Sequence, residues 1–201
     1  MSSSFRETRL GGFVLGLIAL CAVMVGAGVL LPAGSTDTGY HQLASPAKPV
    51  RLVVPALKLR ARVLPIQVNS QRVLDPPRNP RDVGWWRGST RPGATHGQTV
   101  LTGHTVHTGG GAMDHLGRLR KGQVVKVVTP KGTMVYRTTR VVTWSKAELA
   151  KRSVELFGQK RDQPRLVLIT CTGWTGSTYT SNVVVFADPL GVPNAKKKAT
   201  S

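Results

Sequence analysis

The chain has 201 residues, 40% hydrophobic and 18% charged, which suits one globular domain with extensions and excludes two large domains. Its 22 glycines, 13 prolines and 5% aromatic content, without charged heptads, exclude a coiled coil or helical bundle and point to an all-β class of short strands joined by turns. With 28 basic against 9 acidic side chains the formal charge is +19, a field that favours polyanions such as nucleic acid, anionic lipid or acidic wall polymers without choosing among them.

From the N-terminus, residues 1–9 carry Arg6 and Arg9, and Leu10–Leu31 follows as 22 residues without a charge. At 1.5 Å per residue that run is long enough to cross a hydrocarbon core of about 30 Å. A cleaved signal peptide has an apolar region of only about 7–15 residues, so residues 10–31 are expected to be an uncleaved transmembrane signal-anchor. The flanking arginines favour a cytoplasmic N-terminus at 1–9 and an external domain. Arg6 and Arg9 cancel Glu7 and Asp37, so all of the net charge lies beyond the span; setting aside Lys196, Lys197 and Lys198 leaves +16 on residues 46–195. Residues 191–201 are expected to form a basic C-terminal tail.

Residues 32–49 read as a linker, because Ser35–Pro49 is rich in Ser, Thr, Gly, Ala and Pro and has no apolar period. The domain is expected at 50–190. Short apolar or alternating runs recur at Val50–Val54, Arg60–Leu64, Thr99–Leu101, Gln123–Val128, Met134–Val142, Arg165–Thr170 and Val183–Ala187, each bounded by turn formers. Seven strands suggest a barrel or sandwich. One helix is predicted after Ser145, where Ser145-Lys-Ala-Glu148 has capping-box spacing.

Cys21 falls inside the apolar span, which leaves Cys171 as the one cysteine of the domain. An external protein normally pairs its cysteines, so a lone thiol is either an inert buried group or a reagent. Leu166–Thr170 reads as a buried strand ending at Thr-Cys-Thr-Gly, and Thr99–Thr102 as a strand ending at Gly103-His104. Side by side, these ends would supply a nucleophile and a proton-transfer partner for acyl transfer. The plainer alternative is a structural cysteine and a turn histidine.

The succession Val50–Pro55, Leu59–Pro65, Arg72–Pro76, Val83–Trp86, Arg91–Gly93, Thr99–His104, Met113–Leu119, Gly122–Val128, Tyr136–Val142, Leu166–Cys171 and Asn182–Val185 resembles the sortase family, in particular its actinobacterial class E and F members. The resemblance implies a closed eight-stranded sortase-like β-barrel with one or two short helices, preceded by an N-terminal transmembrane helix. It implies a cysteine transpeptidase that cuts a sorting signal of the LPxTG/LAxTG type between Thr and Gly. The acyl half is held as a thioester and passed to an amine of a peptidoglycan precursor or a pilin. Cys171 matches the family nucleophile and His104 its histidine. With ordinary pKa values of about 8.5 and 6.5, such a pair rests at neutral pH mainly as thiol and neutral imidazole. Nearby positive charge would lower the thiol value.

One departure matters. Members of the family carry an Arg on the strand after the nucleophile, in a Tyr-Arg-Asp-Asn-Val-like segment, where this chain has Tyr179-Thr180-Ser181-Asn182-Val183. Thr180, Ser181 and Asn182 are therefore candidate oxyanion or substrate-binding donors, since neutral donors also stabilise a developing oxyanion. Arg165, six residues before Cys171, would lie about 20 Å away along a strand. Arg137 and Arg140 on another strand are the remaining candidates.

Where relatives have an Asp three residues after the histidine, this chain has His107. His107 and His115 lack the paired carboxylates or cysteines of a metal centre, so no metal and no cofactor is expected. Trp85, Trp86 and Trp174 are expected to pack the barrel or line its groove. The expected partners are secreted proteins bearing the sorting signal, an amine acceptor, and the membrane through residues 10–31, with the domain extracellular and no nucleic-acid partner. The alternative is a catalytically weak sortase-like binding protein at the cell surface. A basic DNA-binding exterior protein is supported by charge alone, and its binding would fall steeply with salt.

Overall fold

The computed structural model describes residues 39–70 and 73–195. The expected anchor at 10–31, its flanking arginines, Cys21 and the lysines at 196–198 lie outside the described residues. Among the described residues, no helix is long and apolar enough to cross a membrane.

Nine strands are present among the described residues: β1 (Tyr40–His41), β2 (Arg51–Val54), β3 (Leu59–Ile66), β4 (Val83–Trp86), β5 (Gln98–Gly103), β6 (Val124–Thr129), β7 (Gly132–Ser145), β8 (Arg165–Trp174) and β9 (Tyr179–Pro193). Eight of them form a ring in the order β9-β7-β6-β2-β3-β4-β5-β8, closed by pairing of β8 with β9. Closure removes the unpaired edges that an open sheet would expose. The pairs β3–β4 and β5–β8 are parallel, and the others in the ring are antiparallel. All seven strands read from apolar runs are found. The expected closed eight-stranded barrel with short helices is the fold.

Alternation along the strands divides the apolar side chains between two cores. Leu52, Val54, Leu101, Val125, Val127, Leu166, Leu168, Val183 and Val185 fill the barrel. Val100, Val167, Ile169, Val184, Phe186 and Trp144 point outward with Leu156. That second core is covered by two short helices, α1 (Lys146–Lys151) and α2 (Ser153–Phe157). Strand β5 is buried on both faces for this reason, and so it reads as an unbroken run rather than an alternating one. Burying a leucine such as Leu166 or Leu168, each fully enclosed, contributes about 1.5–3 kcal/mol.

The predicted capping box starts α1. Ser145 Oγ accepts a hydrogen bond from the Glu148 amide at 3.2 Å, and the Glu148 carboxylate accepts from the Ser145 amide at 3.2 Å. Helix α2 is held to the barrel by the buried Gln98, whose Nε2 donates to the carbonyls of Glu155 at 3.2 Å and Gly158 at 2.8 Å. Arg165 Nε in turn donates to Gln98 Oε1 at 2.7 Å. These bonds satisfy carbonyls at the helix end that the helix itself leaves open.

Three sequence expectations change. The segment read as a linker is partly built into the domain: Tyr40–His41 pair with Pro193 and Val192 of β9, and Leu43 and Ala47 belong to the barrel core. Isolated apolar residues in a Ser- and Pro-rich segment give no period, yet each finds a pocket. Strand β4 is not signalled by alternation, because Val83, Gly84 and Trp85 are all buried. Gly84 leaves room for the neighbouring strand's Ile66: a Cβ at that position would stand 2.4 Å from Ile66 Cδ1, and that side chain would have to shift. Finally, β8 does not end at Thr170 but runs on to Trp174, paired with β9 through Thr172–Ser181 and Trp174–Tyr179.

Candidate functional site

Strands β5 and β8 run side by side and parallel, with Gln98 opposite Arg165 and Thr102 opposite Ile169. β5 stops at Gly103 while β8 continues. The stretch of β8 just past that stop is therefore uncovered on the β5 side, and His104 leaves β5 beside it. Thr170 fastens the junction. Its buried hydroxyl donates to Gly103 O at 2.8 Å and lies 2.8 Å from the Thr105 hydroxyl. The loop that follows is pinned by Asp114, whose two carboxylate oxygens accept from the amides of Val106 at 2.7 Å and Gly111 at 3.0 Å.

Cys171 and His104 both line one cleft of about 650 Å³ on the outer face of the barrel. By alternation Cys171 continues the outward row of Val167 and Ile169, so its thiol opens under α1 rather than into the barrel. It is half-buried and is the free cysteine of the described residues. Directly opposite on β9 stands Asn182, whose Nδ2 reaches Cys171 Sγ at 3.8 Å and donates to Thr170 O at 3.3 Å. His104 Nε2–H donates to Pro77 O at 2.9 Å. A carbonyl can only accept, so Nε2 keeps its proton and Nδ1 is the nitrogen left to exchange one.

Burial pushes the Cys171 thiol above its ordinary value, against the opposing pull of the Lys146 ammonium and the Asn182 amide. At neutral pH the sulfur therefore rests as a thiol. A protonated thiol that shares a cleft with an imidazole can pass its proton to the ring as the sulfur attacks, and the imidazolium can then protonate a leaving amine.

The three oxyanion candidates separate. Asn182 lines the cleft, whereas Thr180 and Ser181 are absent from its walls. The Thr180 hydroxyl is turned to Gly173 O at 3.1 Å. Ser181 falls on the inward row of Val183 and Val185. The arginine candidates are also elsewhere. Arg140 is paired with Glu155 and lies 4.2 Å from the centre of the Phe186 ring. Arg137 is at the far part of β7, opposite Val124 and Asp188. Arg165 is fixed by Gln98 at the start of β8.

The cleft does contain a cation that sequence reading missed, Lys146. It directly follows Ser145, the last residue of β7, which pairs with Ser181 next to Asn182. The capping box located the start of α1, but only the β7–β9 register carries that start to Cys171. Among the tryptophans, Trp85 is in the barrel core with Nε1 donating to Thr90 O at 3.4 Å. Trp174 lies outside, stacked on His107 with ring centres 4.2 Å apart and tilted 5.0 Å from Tyr179. The β8–β9 hairpin is thereby clasped to the loop after His104.

Comparison with solved structures agrees with this barrel. Sortase C-1 from Actinomyces oris matches with a TM-score of 0.56 at 22% identity, over 72% of this chain and 76% of that one. Sortase A from Corynebacterium diphtheriae matches with a TM-score of 0.59 at 15% identity, over 77% of this chain and 65% of that one, just under two thirds of its length. Sortase C1 from Streptococcus suis gives 0.57 at 21% identity, over 76% and 77%. At these identities the likeness is one of fold. No curated protein sequence matches the chain. The family model of the Sortase domain matches residues 52–190. That match spans every strand of the ring from β2 through most of β9, together with both residues of the cleft expected to react, and the chain belongs to the sortase family.

Proposed function

We propose that the domain is a cysteine transpeptidase that cleaves an LPxTG/LAxTG-like sorting signal between Thr and Gly and passes the acyl half to an amine. In the first step the Cys171 proton moves to His104 Nδ1 as Sγ bonds to the Thr carbonyl carbon. The carbon–nitrogen bond to Gly then breaks, and the imidazolium protonates the departing amine. In the second step an acceptor amine, from a peptidoglycan precursor or a pilin, attacks the thioester and the thiol is restored. Splitting amide exchange in two replaces one difficult step by two easier ones.

The single observation that carries this reading is that Cys171 and His104, remote in sequence, line one cleft, Cys171 on β8 and His104 just past the end of the parallel strand β5. The work is done outside the cell, with residues 10–31 as the membrane anchor and secreted proteins bearing the signal as partners. The length and apolarity of that segment support this placement. Incubating the protein with a library of Leu-(Pro/Ala)-x-Thr-Gly peptides and an amine, with product masses measured, identifies the signal. Absence of any Thr–amine product across the library would sink the reading.

A second reading, a catalytically weak binding protein, is favoured by Thr180 standing where relatives carry Arg. The two separate on turnover: a binding protein would retain the peptide without accumulating the amide product, and its Cys171 would resist a thiol alkylator.

A further inference from the structure

Acyl transfer places a negative charge on the carbonyl oxygen as sulfur attacks. Donors and positive charge at that oxygen are usually the largest single contribution to such a site. The chain lacks the arginine that relatives place on the strand after the nucleophile. The structure nonetheless brings one cation to the cleft by another route.

We propose that Lys146, at the β7–α1 junction, is the cationic clamp for the oxyanion, doing from α1 what an arginine does from the neighbouring strand in relatives. This inference rests on the transpeptidase reading above. Three observations support it. Lys146 is the only lysine or arginine among the described residues lining the cleft that holds Cys171, His104 and Asn182. Strand register puts it there, because Trp144 and Ser145 pair with Asn182 and Ser181, and Asn182 pairs with Cys171. Its charge is also uncommitted: the ion pairs of the described residues join Arg62 to Asp82 and Arg140 and Arg152 to Glu155. The nearest carboxylate on its own helix, Glu148, is folded back onto the Ser145 amide. Asp75, the carboxylate in the cleft wall, accepts from Asn69 Nδ2 at 2.9 Å.

The side chain is exposed, and its flexible stem with three rotatable donors can follow an oxygen that moves as the carbonyl becomes tetrahedral. The ammonium already acts on this sulfur, lowering the Cys171 thiol pKa against the effect of burial. Lys146 exchanges no proton in the reaction. It donates a hydrogen bond to the oxyanion while Sγ–C forms, and keeps that bond until the oxygen becomes a carbonyl again as C–N breaks.

The experiment compares full-length wild type with Lys146→Met, Lys146→Arg and the double variant Lys146→Met/Thr180→Arg. Transfer of a sorting peptide to an amine is read together with alkylation of Cys171 by iodoacetate and iodoacetamide. Lys146→Met should lose about 10²–10³-fold in kcat, the range for one lost oxyanion donor, with an unchanged melting temperature because the side chain is on the surface. Lys146→Arg should stay within about tenfold of wild type, and Thr180→Arg should restore part of the loss. The anionic reagent should slow relative to the neutral one in Lys146→Met, a shift that a merely structural role would not produce. Wild-type kcat in Lys146→Met, with Cys171→Ala inactive, would overturn the clamp and leave the transpeptidase reading standing. A wild-type protein without any transfer product would overturn both.

Discussion

His104, one residue past the end of β5, stands level with Cys171 in the register that β5 keeps with the parallel strand β8. The offset between paired residues of β5 and β8 is 67 throughout, as in Gln98–Arg165 and the Thr170–Gly103 hydrogen bond, and 67 is also the separation of Cys171 from His104. The strand pairing, carried one residue further by the Thr170–Gly103 hydrogen bond, therefore sets the imidazole level with the nucleophile. Slipping that register by one residue would turn the thiol toward the barrel core.

Thr170 holds this alignment. Replacing it by valine keeps the shape but removes the donor to the Gly103 carbonyl, which is buried, and the partly buried Thr105 contact. Thr170→Val should cost about 1–3 kcal/mol in stability and slow transfer through misplacement of His104. Denaturant unfolding and steady-state kinetics on the same preparation measure both, and an unchanged rate would show that the bond does not position the histidine.

The His104–Pro77 hydrogen bond makes a prediction about protons. In its neutral form the ring should be the Nε2–H tautomer, with Nδ1 unprotonated. Nitrogen-15 chemical shifts of labelled histidine report this directly. An Nδ1–H tautomer would mean that Nε2 is the nitrogen that faces the sulfur.

The raised thiol pKa has a definite sign in reactivity. Below it Cys171 is protonated, so its alkylation by iodoacetamide should rise with pH and keep rising past the ordinary thiol range before levelling off. Asn182→Ala removes a group that favours the thiolate, so its profile should shift to still higher pH. Its transfer rate should fall by about 10²-fold. A plateau reached below pH 9 in wild type would contradict the burial argument.

Much of the barrel is legible in the sequence because β2, β3 and β6 alternate as a half-buried sheet must, while β8 shows as an unbroken apolar run, buried on both faces. Strand β4 is not, since a four-residue strand buried on both faces with glycine inside has no period to show. Leu43 and Ala47 are lost in a segment whose composition says spacer. Cys171 and His104 stand out as reactive residue types near strand ends, but their meeting depends on a parallel pairing between strands separated by two helices and two other strands. Lys146 is hidden for a related reason. Its distance from Cys171 is set by how far β7 extends and how it pairs with β9, and neither follows from local pattern. Asn182 is distinguished from Ser181 only once strand parity around Cys171 is known, and from Thr180, which shares its parity, by the bond that turns the Thr180 hydroxyl to Gly173 O.

The most direct measurement of the central claim is the intact mass of the protein after incubation with a sorting peptide in the absence of an acceptor amine. The account predicts that wild type gains the mass of the acyl half, attached at Cys171, and releases it when an amine is added. Cys171→Ala should remain at its own mass, make no product and melt as wild type does, because the substitution removes a half-buried sulfur without adding bulk. Amide product from the Ala variant at the wild-type rate would contradict a reaction through Cys171.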